Sequence, residues 1–116
     1  MIRSFRLNDV DYIINSHYEL YKREFNYDLS FRDFFKDSVK GFIERSDNKE
    51  RIFILELEGK QSGSISIKKV TKDIAQLGLF LVDPSVRSSG YGQKLVETAI
   101  EFSKEIGFKI IHTLDK

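Results

Sequence analysis

Apolar positions along the chain change their period twice, and those changes outline its elements. Residues 2–6, IRSFR, alternate as a short strand would. Val10, Ile13, Ile14, His17, Leu20 and Tyr21 then recur at helical spacing. They predict a first helix, capped by Asn8 or Asp9 and ending between Phe25 and Asp28. A second helix opens at Ser30, where Ser30 and Asp33 stand in capping-box spacing. Its apolar face carries Phe31, Phe34, Phe35, Val39 and Phe42, a stripe expected in the core. The segment SDNKE, Ser46 to Glu50, reads as a polar loop.

From Arg51 the period falls to two. RIFILELE, QSGSISIKKV and IAQLGLFLV read as three strands, the first two as a hairpin, with turns at Gly59-Lys60 and Lys72-Asp73. Helical spacing returns in LVETAIEFSKEI, with Leu95, Val96, Ala99, Phe102 and Ile106 on one face and Gly107 as the C-terminal cap. FKIIHTL is the last strand. A helix joins it to the strand before, so the two should run parallel through a right-handed crossover. The order predicts an α+β (mixed α/β) fold over residues 1–116 as a single domain, with a mostly antiparallel sheet and helices on both faces.

Composition narrows the function more than the fold. A chain of 116 residues with 41% hydrophobic and 32% charged side chains is globular. Nineteen basic and 18 acidic groups leave a net charge of +1, which supplies no field for nucleic acid or an anionic membrane. The absence of Cys removes disulfides, thiolate metal sites and a Cys nucleophile, and fits a reducing cytoplasm. The longest apolar run, Leu77 to Val82 around Gly78, is too short to span a bilayer. MIRSFRLNDVD has no apolar signal core, so no signal peptide is expected. No His, Asp and Glu cluster has metal-ligand spacing.

The stretch VDPSVRSSGYGQKL, Val82 to Leu95, carries the chemistry. It joins an apolar strand to an amphipathic helix. Asp83-Pro84 stops the strand, and Ser88 to Gly92 lead into the first helical turn. The first amides of a helix lack carbonyl partners and carry partial positive charge, so they favour an anion. Glycine allows ligand oxygens close to the backbone, and Arg87 adds a fixed charge with a donor fork. These parts suit a diphosphate. A Walker-type loop would need Lys and Ser or Thr after its last glycine, whereas Gly92 is followed by Gln93-Lys94-Leu95. A dinucleotide fingerprint would need a glycine where Leu95 stands, and a parallel unit in place of a meander.

The pattern present is R-x-x-G-x-G: Arg87, Ser88, Ser89, Gly90, Tyr91, Gly92. With LFLVDP before it, a helix ending in Gly-Phe after it and this element order, the chain resembles the GNAT-type N-acetyltransferases over essentially its whole length. HYELYKREFNYD and AQLGLFLVDPSVRSSGYG also resemble a narrower bacterial subgroup, often found behind a winged-helix regulator of the multiple-antibiotic-resistance type. The resemblance implies acetyl-CoA as cosubstrate and transfer of its acetyl group to a primary amine of a small molecule or peptide. It implies that the amides of Arg87, Ser88, Ser89, Gly90, Tyr91 and Gly92 hold the pyrophosphate of coenzyme A. Phe80, Leu81 and Val82 would pair with the pantetheine arm, and the amide near Val82 would polarise the thioester carbonyl. The family usually follows its fifth strand with a helix bearing a Tyr acid and with two closing strands, which these 116 residues do not include. That departure leaves three readings open: a longer protein, a sheet completed by a partner, or a non-catalytic acyl-CoA sensor or regulatory module. A homodimer is also left open.

The other candidates carry ordinary readings beside functional ones. His17 is expected as a buried, hydrogen-bonded core residue, or else as a lining of the substrate end. Tyr21, Glu24 and Tyr27 lie where the family places its acceptor, and Glu24 is the candidate base, directly or through water. Their plain reading is a core Tyr and a solvated charge. His112 and Thr113 are strand-face residues or, for His112, a proton-transfer group near the thioester. Asp83 starts the turn.

Overall fold

A computed structural model describes residues 1–26 and 30–113, with Ser30 described in its backbone alone. The chain divides into two compact units. One comprises Met1–Phe5 and Asn48–Lys116, and the other comprises Arg6–Asp47.

The second unit is a helix pair. A short 3-10 turn, Leu7–Asp9, leads into α1, Val10–Phe25. Asp9 is fully buried, and its Oδ2 accepts the Arg6 amide at 2.8 Å, which closes the turn before the helix. Asn26 ends α1 in the left-handed region at φ 55°, a conformation Asn tolerates better than most residues. The end predicted between Phe25 and Asp28 thus falls at its near limit. Helix α2 spans Ser30–Arg45 and begins where expected. The Ser30 side chain of the predicted capping box lies outside the described residues.

The aromatic stripe of α2 is where expectation and structure part. Phe35 and Val39 are buried and Phe31 and Phe42 half-buried, but Phe34 is 60% exposed. Phe34 therefore does not belong to the core stripe. An apolar face of five positions over about three turns is wider than the contact that buries it, so the residue at its margin is left in solvent.

The larger unit is a five-stranded sheet in the order β1-β2-β3-β4-β5. Strand β1, Ile2–Ser4, pairs antiparallel with β2, Arg51–Leu57, which pairs with β3, Lys60–Lys69. Glu58 and Gly59, at φ 52° and 76°, form the two-residue hairpin connection, since both left-handed positions match the strand twist. Lys60 is already strand, so the turn lies one residue before the predicted Gly59-Lys60. Strand β4, Ile74–Val82, continues the meander as predicted. Helix α3, Tyr91–Ile106, crosses over to β5, Ile110–His112, which runs parallel to β4. Gly107 caps α3 at φ 108°, accepting the left-handed geometry that a side chain would resist.

Phe53, Leu55, Ile65, Ile67, Ala75, Leu77, Leu95, Ala99 and Phe108 form the buried core of this unit. Val96, Phe102 and Ile106 of the predicted α3 face pack at its edge. Ser103 lies fully buried on the same helix and donates its hydroxyl to the Ala99 carbonyl at 2.8 Å, which satisfies it locally. The serines that alternate with Ile65 and Ile67, namely Ser64 and Ser66, are buried as well. No described helix is long and apolar enough to cross a membrane.

Candidate functional site

The two edges of β4 differ along its length. Its β3 edge is paired from Ala75 to Val82. Among the described residues its β5 edge is paired at Ile74, Ala75 and Gln76, opposite Ile110, Ile111 and His112. Along residues 77–82 the edge away from β3 pairs with no described residue, and it is open in that sense. Gln76 stands at the fork, with Nε2 donating at 3.4 Å to the carbonyls of Leu77 and Thr113.

A bulge lies within that half. Ser66 faces Gly78 and Ser64 faces Leu81, so Leu79 and Phe80 together oppose Ile65. Leu79 sits at φ 43°, which costs a branched, bulky residue on the order of 1–2 kcal/mol. The fully buried Ser64 donates its hydroxyl to the Leu79 carbonyl at 2.6 Å. The extra residue shifts the parity of the strand. Ala75 and Leu77 before it and Phe80 and Val82 after it all pack on the same apolar cluster, where strict alternation would have put the second pair on the opposite face.

Backbone direction follows from the bonds beyond the bulge. The Asp83 amide donates to the Ser62 carbonyl of β3 at 2.9 Å. By alternation Leu81 also directs its polar groups at β3, while Val82 and Phe80 direct theirs at the open edge. The Arg87 side chain agrees with this. Its Nε donates to the Val82 carbonyl at 3.2 Å, tying the guanidinium back to the strand end.

The connecting turn runs through a short 3-10 segment, Pro84–Val86. Arg87, Ser88, Ser89 and Gly90 are exposed. Ser88 at φ 69° and Gly90 at φ 82° are both left-handed, a geometry that turns neighbouring amides to one side. The first intrahelical bond of α3 runs from the Lys94 amide to the Gly90 carbonyl at 3.2 Å. The amides of Tyr91, Gly92 and Gln93 precede it and have no carbonyl one turn back. A Cβ on Gly90 would meet nothing within 4 Å, so the space above the turn is open. A Cβ on Gly92 would lie 3.4 Å from Phe80 Cζ and 3.6 Å from Val82 Cγ2, so the helix start abuts the end of β4. Lys94 Nζ lies 5.5 Å over the Tyr91 ring and adds a second cation to this end of the helix.

The structure therefore brings together Phe80, Val82, Arg87, Ser88, Ser89, Gly90, Tyr91 and Gly92, with Leu81 among them as a buried side chain. His112 is exposed and stands in register with Gln76, at the last pair before the strands part. Glu24 is exposed on α1, in the other unit. Tyr27 lies outside the described residues. His17 is buried, with Nδ1 2.8 Å from the Ile13 carbonyl oxygen, so that nitrogen carries the proton and the ring is held as a core residue. It stacks among aromatic rings, 5.2 Å from Phe35 and 6.4 Å from Tyr21. Ser64 was not a sequence candidate. A serine alternating with isoleucine reads as the polar side of a strand, and only the bulge reveals its partner. Among the described residues no group of three acidic, His or Cys side chains could hold a metal ion.

Comparisons with known proteins converge on one family. The sequence model of the acetyltransferase (GNAT) family matches residues 14–116. The chain is 25% identical over 116 residues to an uncharacterised N-acetyltransferase of Methanocaldococcus jannaschii, covering 95% of this chain and 50% of that one. It thus spans half the length of this curated relative. A structure with acetyl-CoA of a predicted acetyltransferase from Clostridium acetobutylicum superposes with a TM-score of 0.78 at 11% identity, covering 100% of this chain and 80% of the other. A transcriptional regulator of Bacillus halodurans superposes at 0.70 and 20% identity, over 100% of this chain and 81% of the other.

Proposed function

The chain belongs to the acetyltransferase (GNAT) family, and we propose that it moves an acetyl group from acetyl-CoA to a primary amine of a small molecule or peptide. The observation that carries this reading is one continuous track of backbone donors. It runs from the open-edge groups of Phe80 and Val82, past Arg87, to the amides that begin α3. The track fits the cosubstrate in kind. Spaced strand donors suit the amides of a pantetheine arm, and a helix start with a fixed cation suits a pyrophosphate. Gly90, beneath open space, lets phosphate oxygens reach the backbone.

Acetyl-CoA supplies an activated thioester. The neutral amine nitrogen forms a bond to the thioester carbon, the carbon–sulfur bond breaks, and the departing thiolate takes a proton to leave free coenzyme A. The chain contributes orientation along β4 and an amide that polarises the carbonyl. Glu24 is the proposed base and His112 the proposed proton-transfer group, both exposed and so open to exchange with water.

Acetyl-CoA at about 100 times its dissociation constant should stabilise the protein by about 2.7 kcal/mol. For a chain of this length that is a rise of about 10 °C in melting temperature. An unchanged melting temperature would defeat the reading. The likeness to a transcriptional regulator favours a second reading, an acyl-CoA sensor. A thermal shift without thiol release across a panel of amines would select it.

A further inference from the structure

Ser64 has no part in the track of donors, yet its hydroxyl is the partner of the bulge. We propose that Ser64 is a positioning residue, whose bond to the Leu79 carbonyl aims the Phe80 amide at the acetyl carbonyl of bound acetyl-CoA; this rests on the acetyl-transfer reading above. The bulge takes the Leu79–Phe80 peptide out of regular pairing, because two residues face one on β3. A peptide at a bulge is held less firmly by the ladder than one in regular pairing, and here it is attached to a residue at φ 43° whose strain a rotation would relieve. Ser64 stops that rotation. It is fully buried, its oxygen lies 2.6 Å from the Leu79 oxygen, and a carbonyl can only accept, so the hydroxyl proton is committed to it.

The peptide is trans and planar, so its N–H points opposite to its C=O. A Leu79 carbonyl held on the β3 side sets the Phe80 N–H away from β3, on the edge where no described residue pairs beyond Gln76. That direction matches the alternation fixed independently by Asp83 and Arg87. The Phe80 amide then lies two residues deeper along β4 than Val82, on the side away from the pyrophosphate turn. The acetyl end of the cosubstrate belongs at that depth, because the pantetheine arm separates it from the phosphates. The Val82 amide is left for the arm itself.

The test compares the protein with Ser64→Ala, Ser64→Cys and Ser64→Thr, using acetyl-CoA labelled at the thioester carbonyl and unacetylated CoA as probes. Isotope-edited infrared spectra should show the bound carbonyl stretch lowered in the unaltered protein. It should move back toward the free value in Ser64→Ala, lie between in Ser64→Cys with its weaker donor, and be restored in Ser64→Thr. Acetyl-CoA affinity should fall about threefold to tenfold in Ser64→Ala, while CoA, which lacks the carbonyl, stays within about twofold. An unaltered stretch in both Ser64→Ala and Ser64→Cys overturns the proposal. Equal weakening of CoA and acetyl-CoA also overturns it, because a merely structural serine would act on both. Failure of the unaltered protein to bind CoA at all would instead remove the acetyl-transfer reading on which the proposal stands.

Discussion

The lower half of β4, around Ala75 and Gln76, pairs on both edges, and the upper half, Leu77 to Val82, pairs with described residues on one. Both halves bury apolar side chains, Ala75 at 0% in the lower and Leu81 at 3% in the upper. What separates them is a neighbour. Where β5 is present, backbone groups are spent on the sheet. Where no described residue pairs with that edge, the same groups are the donors of the proposed binding track, and the strand carries a bulge. In the proposed reading the upper half binds acetyl-CoA through main-chain atoms, so its side chains stay free to serve the core. Stability and binding would then share one strand without sharing atoms.

That division can be broken by substitution. The largest effect expected is on the shared core. Leu77→Ala, at the junction of the halves, should cost about 3 kcal/mol of stability, read as a lowered denaturation midpoint. The increment added by acetyl-CoA should survive, because Leu77 offers the ligand nothing from its side chain. If that increment vanished, the halves would not be separable. Next, Gly90→Val should remove the increment of about 2.7 kcal/mol altogether, since φ 82° is closed to a β-branched residue and the space above the turn would fill. Thermal shift with and without acetyl-CoA reads this directly, and an intact shift would refute the phosphate role of the turn.

A smaller effect belongs to Arg87→Ala. Loss of the guanidinium should weaken CoA about tenfold in a calorimetric titration, more at low salt than at high. Stability in the absence of ligand should change by less than about 0.5 kcal/mol, because the side chain is exposed. The smallest is on the paired half. Ile110→Thr lies on β5 opposite Ile74 and is 51% exposed, so both stability and CoA affinity should hold within about 0.5 kcal/mol. A clear loss of affinity there would mean that the fork transmits to the site, and would shift attention to Gln76.

Element types and order were legible because the period of apolar residues changes where the backbone changes. Ile74 to Val82 and the Gly107 cap were readable to the residue. The place of the turn was readable as well, since glycines beside an Arg between an apolar strand and a helix mark a tight junction. The bulge was not. IAQLGLFLV is apolar on nearly every position, so inserting one residue leaves no mark on the alternation. Ser64 was hidden for the same reason, and its value depends on a carbonyl that only a shifted register presents. Phe34 was overestimated because helical spacing gives a direction and not the width of the contact.

The sequence by itself determined which segments are helix and strand and where the glycine-rich turn between β4 and α3 lies. Those are local matters of side-chain period and backbone freedom, set within a few residues. Tertiary structure alone decided that β5 pairs with β4 at Ile74 to Gln76, that Leu79 takes a strained angle, and that Ser64 meets its carbonyl. Each of these depends on strands brought together from distant parts of the chain, and the chain encodes them only through the packing of the whole sheet.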